Sequence, residues 1–245
     1  MSQAFTGAGY IQTIVTSEVN EFLAGYRSAA PLPIDLALRA RFNPELNKTW
    51  FGAINNLITS VTMLSIILAG AALIREREHG TIEHLLVMPV TPFEIMASKI
   101  WSMGLVVLLA STFSLVFIIQ GLLSVQIGGS ITLFLFGTAL YLFATTSMGI
   151  FLATVGSMPQ FGLLLMLVLL PLQMLSGATT PRESMPEIIQ NIMLAAPNTH
   201  FVILAQAVLF RGAGLAVVWP QIAALLLIGA VLFFYSLRQF RQFLR

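Results

Sequence analysis

The sequence predicts an all-α polytopic membrane protein. It has five transmembrane helices plus a re-entrant or interfacial helical hairpin, and a small N-terminal α/β extracytoplasmic fragment. Three observations carry this. Of 245 residues, 9% are charged and 57% hydrophobic, where soluble domains average about 25% charged. Mean hydropathy is +0.89. From Ile100 to Pro181, 82 residues pass without an Asp, Glu, Lys or Arg. A bilayer core takes about 20 apolar residues per helix, so that run has room for three spans and their loops.

Composition also excludes several classes. No cysteine is present, which removes disulfides, thiolate metal sites and Cys nucleophiles. A net charge of +2 is too small to imply a nucleic-acid partner.

Residues 1–49 read as a fragment of an extracytoplasmic domain. Tyr10, Ile11, Ile14, Val15, Val19, Phe22, Leu23 and Tyr26 recur at helical spacing, which predicts an amphipathic helix over 8–27. Ile34, Leu36, Leu38, Ala40 and Phe42 alternate, which predicts a strand over 34–42. Residues 50–245 read as the membrane domain. Spans are expected at about 50–74, 100–123, 131–155, 160–175 and 217–235, the fourth kinked at Pro171. Arg75-Glu76-Arg77-Glu78 closes the first, and a polar loop fills 75–99. Between the fourth and fifth spans, two short amphipathic patterns at 184–195 and 199–210 are too short to cross, which predicts the hairpin.

Basic residues in short loops set orientation. Segment 75–99 holds Arg75, Arg77 and Lys99, and the tail holds Arg238, Arg241 and Arg245. Five spans put both on one face, expected to be cytoplasmic, with residues 1–49 outside. The tail reads as a cationic interfacial helix against anionic lipid. Met1 is followed by Ser2, Gln3 and a polar stretch without the basic and apolar regions of a signal peptide that would export residues 1–49. An upstream span and the first part of the external domain are therefore expected before Met1.

The loop at 75–99 carries the functional signal. Gly80 permits a chain reversal. Thr81 caps a short helix with apolar Ile82, Leu85 and Leu86, stopped at Met88-Pro89. Thr91-Pro92-Phe93-Glu94 is a second helix start, with Thr91 as cap, Pro92 first in the helix and Glu94 completing a capping box. The helix from Pro92 should run through Lys99 into the second span. The result is a short helix lying across two span ends, suited to a groove in a soluble partner. An ordinary polar loop lying at the interface fits the same residues.

Two motifs then resemble a family. Glu76-Arg77-Glu78, Gly80-Thr81, Leu85-Leu86, Pro89 and, ten residues on, Lys99 resemble the signature loop of type-2 ABC exporter permeases. Leu175-Ser176-Gly177, Pro181, Met185-Pro186 and Ala196-Pro197-Asn198-Thr199 are similar to the re-entrant external helices of that family. The resemblance covers about 34–245. It implies a permease subunit in the bacterial inner membrane, moving an amphipathic or hydrophobic substrate out of the cytoplasm. Residues 81–88 would be a coupling helix seated in a separate cassette ATPase subunit, with Glu76 and Glu78 beside it. A second permease half, a copy or a different chain, would complete the path within membrane lipid. ATP and Mg would sit on the partner ATPase, and this chain would bind no cofactor. The family has six spans, which agrees with the expected missing first span.

Other constellations add little. No GxxxxGK[ST] phosphate loop occurs, so this chain is not expected to be an enzyme. His79 and His84 flank Glu83 at a spacing that puts the rings on different helical sides. His200 reads as a polar anchor. Within the spans only tyrosine is ionisable, whereas ion-coupled carriers usually need intramembrane carboxylates. Asn55, Asn56, Gln120, Thr145, Thr146 and Gln173 fit helix packing or a substrate path. An ion-coupled secondary carrier or a non-transport membrane scaffold remain the alternatives.

Overall fold

The computed structural model describes residues 11, 13–19, 22, 48–79, 90–125, 127–155, 158–180 and 182–243. The chain divides into two compact units, Met1–Phe51 and Gly52–Arg245. In the first, residues 13–19 are helical, as are Ile11 and Phe22, within the stretch read as a helix. Ile11, Ile14 and Phe22 are exposed. The strand expected at 34–42 lies outside the described residues, and no strand occurs among them, so the α/β character of the fragment has no support.

The described elements that follow are helical. They are α1 (Lys48–Glu78), α2 (Pro92–Phe113), a π-helical continuation (Ser114–Leu122), α3 (Ile131–Val155), α4 (Met158–Leu175), a 3₁₀ turn (Arg182–Ser184), α5 (Glu187–Met193), α6 (Pro197–Leu209) and α7 (Leu215–Phe243). Among the described residues, four helices are long and apolar enough to cross a membrane: Gly52–Glu78, Pro92–Leu122, Ile131–Val155 and Leu215–Gln242. The α5–α6 pair, bent by 92°, makes a fifth if it counts as one broken span. Helix α4, placed where the fourth span was expected, is apolar but only 18 residues long, with Pro171 inside it.

Two boundaries differ from the sequence reading. The charges at Arg75–Glu78 do not end α1, which continues through them to Glu78. Arg and Glu are good helix formers, and Arg75 and Arg77 lie in the last turn, where cations suit the helix dipole. The tail is not a separate interfacial helix, because α7 runs unbroken to Phe243. Leu237 and Phe240 turn into the core, while Arg238 and Arg241 stay exposed.

Helix α3 is the hub. It packs most extensively against α7, and also against α2, α6 and α4. The core gathers Ile66 and Leu73 from α1, Ile95 from α2, Ile150 from α3, Phe161 from α4 and Phe233 from α7. Phe233 meets Phe93 edge to face at 5.6 Å and Phe143 at 5.4 Å, joining the start of α2 and the middle of α3 to the C-terminal half of α7. Because lipid tails are as apolar as Leu, these helices associate through close packing and hydrogen bonds rather than through the hydrophobic effect.

Helices α1 and α3 approach closely at Gly149. A Cβ there would collide with the Ile66 carbonyl oxygen, so the two helices touch backbone to backbone. Gly70 continues the seam, with the Phe161 ring filling the space its side chain would take. Gly149→Ala is expected to destabilise the fold by about 1–3 kcal/mol, since overpacking against a backbone cannot relax by rotamer change. Gly162→Ala, where a Cβ meets nothing within 4 Å, is expected to be neutral or stabilising by up to about 1 kcal/mol. Thermal unfolding of the two variants in detergent checks this contrast.

Candidate functional site

The loop between α1 and α2 is defined at both flanks. Thr91 caps α2, and its hydroxyl accepts from the Glu94 backbone N–H at 3.3 Å. Glu94 returns the bond, its Oε2 accepting from the Thr91 N–H at 2.7 Å and from its hydroxyl at 2.8 Å. With Pro92 in the first turn, this is the capping box read from the sequence. At the other flank, the His79 N–H donates to the Arg75 carbonyl at 3.1 Å and extends α1 by one more bond.

The two flanks are held together by an ion pair. Lys99 Nζ donates to Glu76 Oε1, from the first turns of α2 to the last turn of α1. Lys99 is 12% exposed and Glu76 32%. Glu76 is thus half-buried, while Arg75, Arg77 and Glu78 stand exposed around it. Gly80, Thr81, Leu85, Leu86 and Pro89, with the rest of the expected coupling helix, lie outside the described residues.

The hairpin is the second expected site. Gly177 has φ +97°, a left-handed backbone suited to glycine, as α4 turns away. Pro186 precedes α5 as its N-cap and Pro197 opens α6. Pro181 lies outside the described residues. His200 Nε2 lies 2.9 Å from the Leu194 carbonyl and closes the corner between the two arms. The arms are unlike. Ile188 is 73% exposed on α5. In contrast, α6 is buried along most of its length, from Pro197 through Leu209. The amphipathic pattern read at 199–210 is therefore covered on nearly all sides by α3 and α7.

A neutral polar network that the sequence reading missed joins the hairpin to the bundle. The Tyr141 hydroxyl donates to Asn198 Oδ1 at 2.8 Å and lies 2.6 Å from Thr62 Oγ1. Asn198 Nδ2 donates to the Leu172 carbonyl at 2.7 Å. Ser65 donates to Thr145 at 2.8 Å one turn along. All five side chains are buried. Helices α1, α3, α4 and α6 meet at this point. The Tyr141 ring also stacks on Phe201 at 4.1 Å. Asn55 Nδ2 reaches the Ala178 carbonyl at 2.8 Å and holds the turn after α4. Thr145 and Asn55 thus serve packing in this structure. The only available signal was that apolar spans contained isolated polar residues at all.

A bundle of apolar helices with a capped, ion-paired loop between the first two and a bent hairpin with one buried arm before the last is the architecture of a polytopic membrane protein. The chain belongs to the ABC-2 family of transporter proteins, whose family model matches residues 2–238. It is 61% identical over 243 residues to the inner membrane transport permease YhhJ of Escherichia coli K12, covering 99% of this chain and 65% of that protein. It is 30% identical over 234 residues to the probable multidrug ABC transporter permease YbhR of the same organism, covering 94% of this chain and 62% of that one. A similar match, 30% over 206 residues, is to the probable multidrug ABC transporter permease YbhS, covering 82% of this chain and 53% of that protein. The chain thus spans about two thirds or less of the length of these relatives.

Two sets of variants test the geometry. Lys99→Met is expected to destabilise by about 1–3 kcal/mol, less than the ~3–5 of a fully buried pair, because Glu76 keeps 32% of its side chain exposed. The double variant Lys99→Met/Glu76→Leu is expected to recover part of that loss, since no uncompensated charge remains. Asn198→Leu is expected to cost about 1–3 kcal/mol by leaving buried groups unpaired. Tyr141→Phe is expected to cost about 0.5–1.5 kcal/mol, and the pair to couple in a double-mutant cycle. Denaturation in mixed micelles measures all five variants, the Asn198→Leu/Tyr141→Phe double variant included.

Proposed function

We propose that the chain is the membrane-spanning permease subunit of an ATP-binding cassette exporter. It moves an amphipathic or hydrophobic substrate out of the cytoplasm, using ATP hydrolysed with Mg on a separate cassette subunit. The observation that carries the reading is the Glu76–Lys99 pair in a chain of this family. It ties the two spans that flank the loop, so a push on that loop moves both helices together rather than unwinding one end. The names of the similar proteins, an inner membrane transport permease and probable multidrug ABC transporter permeases, support the same reading.

In this reading residues 81–88 form the coupling helix, seated in the ATPase subunit, and Glu76, Arg77 and Glu78 lie beside it at the membrane end. The loop and the C-terminus are cytoplasmic, residues 1–49 extracytoplasmic, and the membrane is the bacterial inner membrane. Helix α4 serves as a fifth span. Its 18 residues reach about 27 Å, close to the ~30 Å hydrocarbon core. The α5–α6 hairpin then re-enters from the outer side. A second permease half, a copy or a related chain, completes the path. The chain itself binds neither ATP nor metal.

Leu85→Asp places a charge on the apolar edge expected to enter the ATPase groove. In the full-length protein co-expressed with its cassette ATPase, it is expected to cut co-purification about tenfold or more, the scale of losing a buried anchor. Substrate-stimulated ATP turnover is expected to fall with it. Retention of both would refute the coupling assignment.

A further inference from the structure

Helices α1 and α2 are bound together at one end and part at the other. The Glu76–Lys99 pair fixes the loop end. Leu64 lies twelve residues before Glu76, about 18 Å along the helix. From Leu64 back to Ala53, α1 faces residues 107–123 of α2 and its π-helical continuation across an open cleft of about 340 Å³. That volume falls in the range of small-molecule sites, roughly 300–1,000 Å³.

The π-helical stretch shapes this cleft. Lining positions on α2 step by three or four residues from Val107 to Ser114, then by four or five through Ile118 and Ile119 to Leu123. The change falls at Ser114, where the backbone switches to i→i+5 bonds. The wider turn keeps one face of the helix on the cleft for its whole length, where an α-helix would rotate it away. Short π-helical insertions are frequent at functional sites.

The lining is apolar except for Asn56 and Ser60 on α1 and Ser111 and Ser114 on α2 and its continuation. Asn56 and Ser60 are exposed. Ser111 already donates to the Leu108 carbonyl at 2.9 Å, but an acyl chain filling the cleft would leave the polar side chains of Asn56 and Ser60 facing hydrocarbon, which costs free energy. A charged head would find no counter-charge, because no Asp, Glu, Lys or Arg is among the described residues that line the cleft. A molecule with an apolar body and a neutral hydrogen-bonding group satisfies both walls.

We propose that the α1–α2 cleft binds a single amphiphile with an uncharged polar head. This rests on the exporter reading only for calling that molecule cargo. The binding itself does not need the ATPase.

These 245 residues hold no cysteine, so labelling of an introduced one is read against the parent protein as background. Ser60→Cys, a near-isosteric change, is introduced into the full-length protein in nanodiscs and labelled with N-ethylmaleimide. The probes are N-phenyl-1-naphthylamine, which is neutral, and its close anionic relative 8-anilinonaphthalene-1-sulfonate. At ten times its Kd the neutral probe is expected to slow labelling about tenfold, as occupancy requires, and the sulfonate is not. A Leu109→Cys control, on an exposed position of α2 outside the cleft, is expected to be unaffected. Adding Ala110→Trp, which fills the cleft, is expected to abolish the protection. Equal slowing of the Ser60→Cys and Leu109→Cys variants would mean bilayer partitioning and would overturn the proposal. So would protection by the sulfonate, no protection at all, or a Ser60→Cys variant that disulfide-links two copies and never reacts, which would make this face a protein interface. Loss of ATP-dependent flux with protection intact would count against the exporter reading alone.

Discussion

A bilayer offers no water to a backbone group, so every N–H and C=O in it must find a partner in the protein. The end of α4 shows how the fold meets that demand. The helix stops at Leu175, and its last carbonyls have no intrahelical donors. Asn198 supplies the Leu172 carbonyl, while Thr179 and Ser176 supply Gln173, and Thr179 also reaches Met174. Asn198 can do this only because α6 turns back through 92° relative to α5. The α6 arm of the hairpin is therefore part of what satisfies the end of α4, and that arm is the buried one.

The same residue ties this end to the rest. Asn198 also accepts from Tyr141 on the hub helix α3, which lies against Thr62 on α1. One turn along, Ser65 meets Thr145, and beyond that Gly149 lets the two backbones touch at Ile66. Helix α1 is thus fixed to α3 from its middle toward the loop, and to α2 at Glu76. Its face toward α2 in the other half is left open. The proposed coupling requires that a displacement of the loop move α1 as a whole element, and these anchors are the contacts through which it would do so.

Much of this was legible in the sequence where a local rule operates. Uncharged runs locate the long helices, and Thr91, Pro92 and Glu94 announce their capping box through spacing alone. The paired short helices of the hairpin appear within a few residues of α5 and α6. What escaped depends on distance or register. Lys99 and Glu76 are 23 residues apart, and the sequence offers no reason to pair that lysine with Glu76 rather than Glu78. Thr62, Tyr141 and Asn198 look like unrelated polar residues until three helices bring them together. The π-helical stretch Ser114–Leu122 is ordinary in composition, since one extra residue per turn leaves no compositional mark. Leu237 and Phe240 have the pattern of an interfacial helix, and only tertiary packing turns them into core. The expected coupling residues Gly80, Thr81, Leu85, Leu86 and Pro89 lie outside the described residues, so their role rests on the family and on the flanks.

The central claim is that the segment between α1 and α2 meets a cassette ATPase. A photo-crosslinker on Ile82→Cys, in the full-length protein within native membranes, tests it most directly. The expected result is a covalent adduct with a cassette ATPase whose yield changes between the nucleotide-free and ATP-bound states. Adducts only with lipid or with the chain itself, whatever the nucleotide, would contradict it.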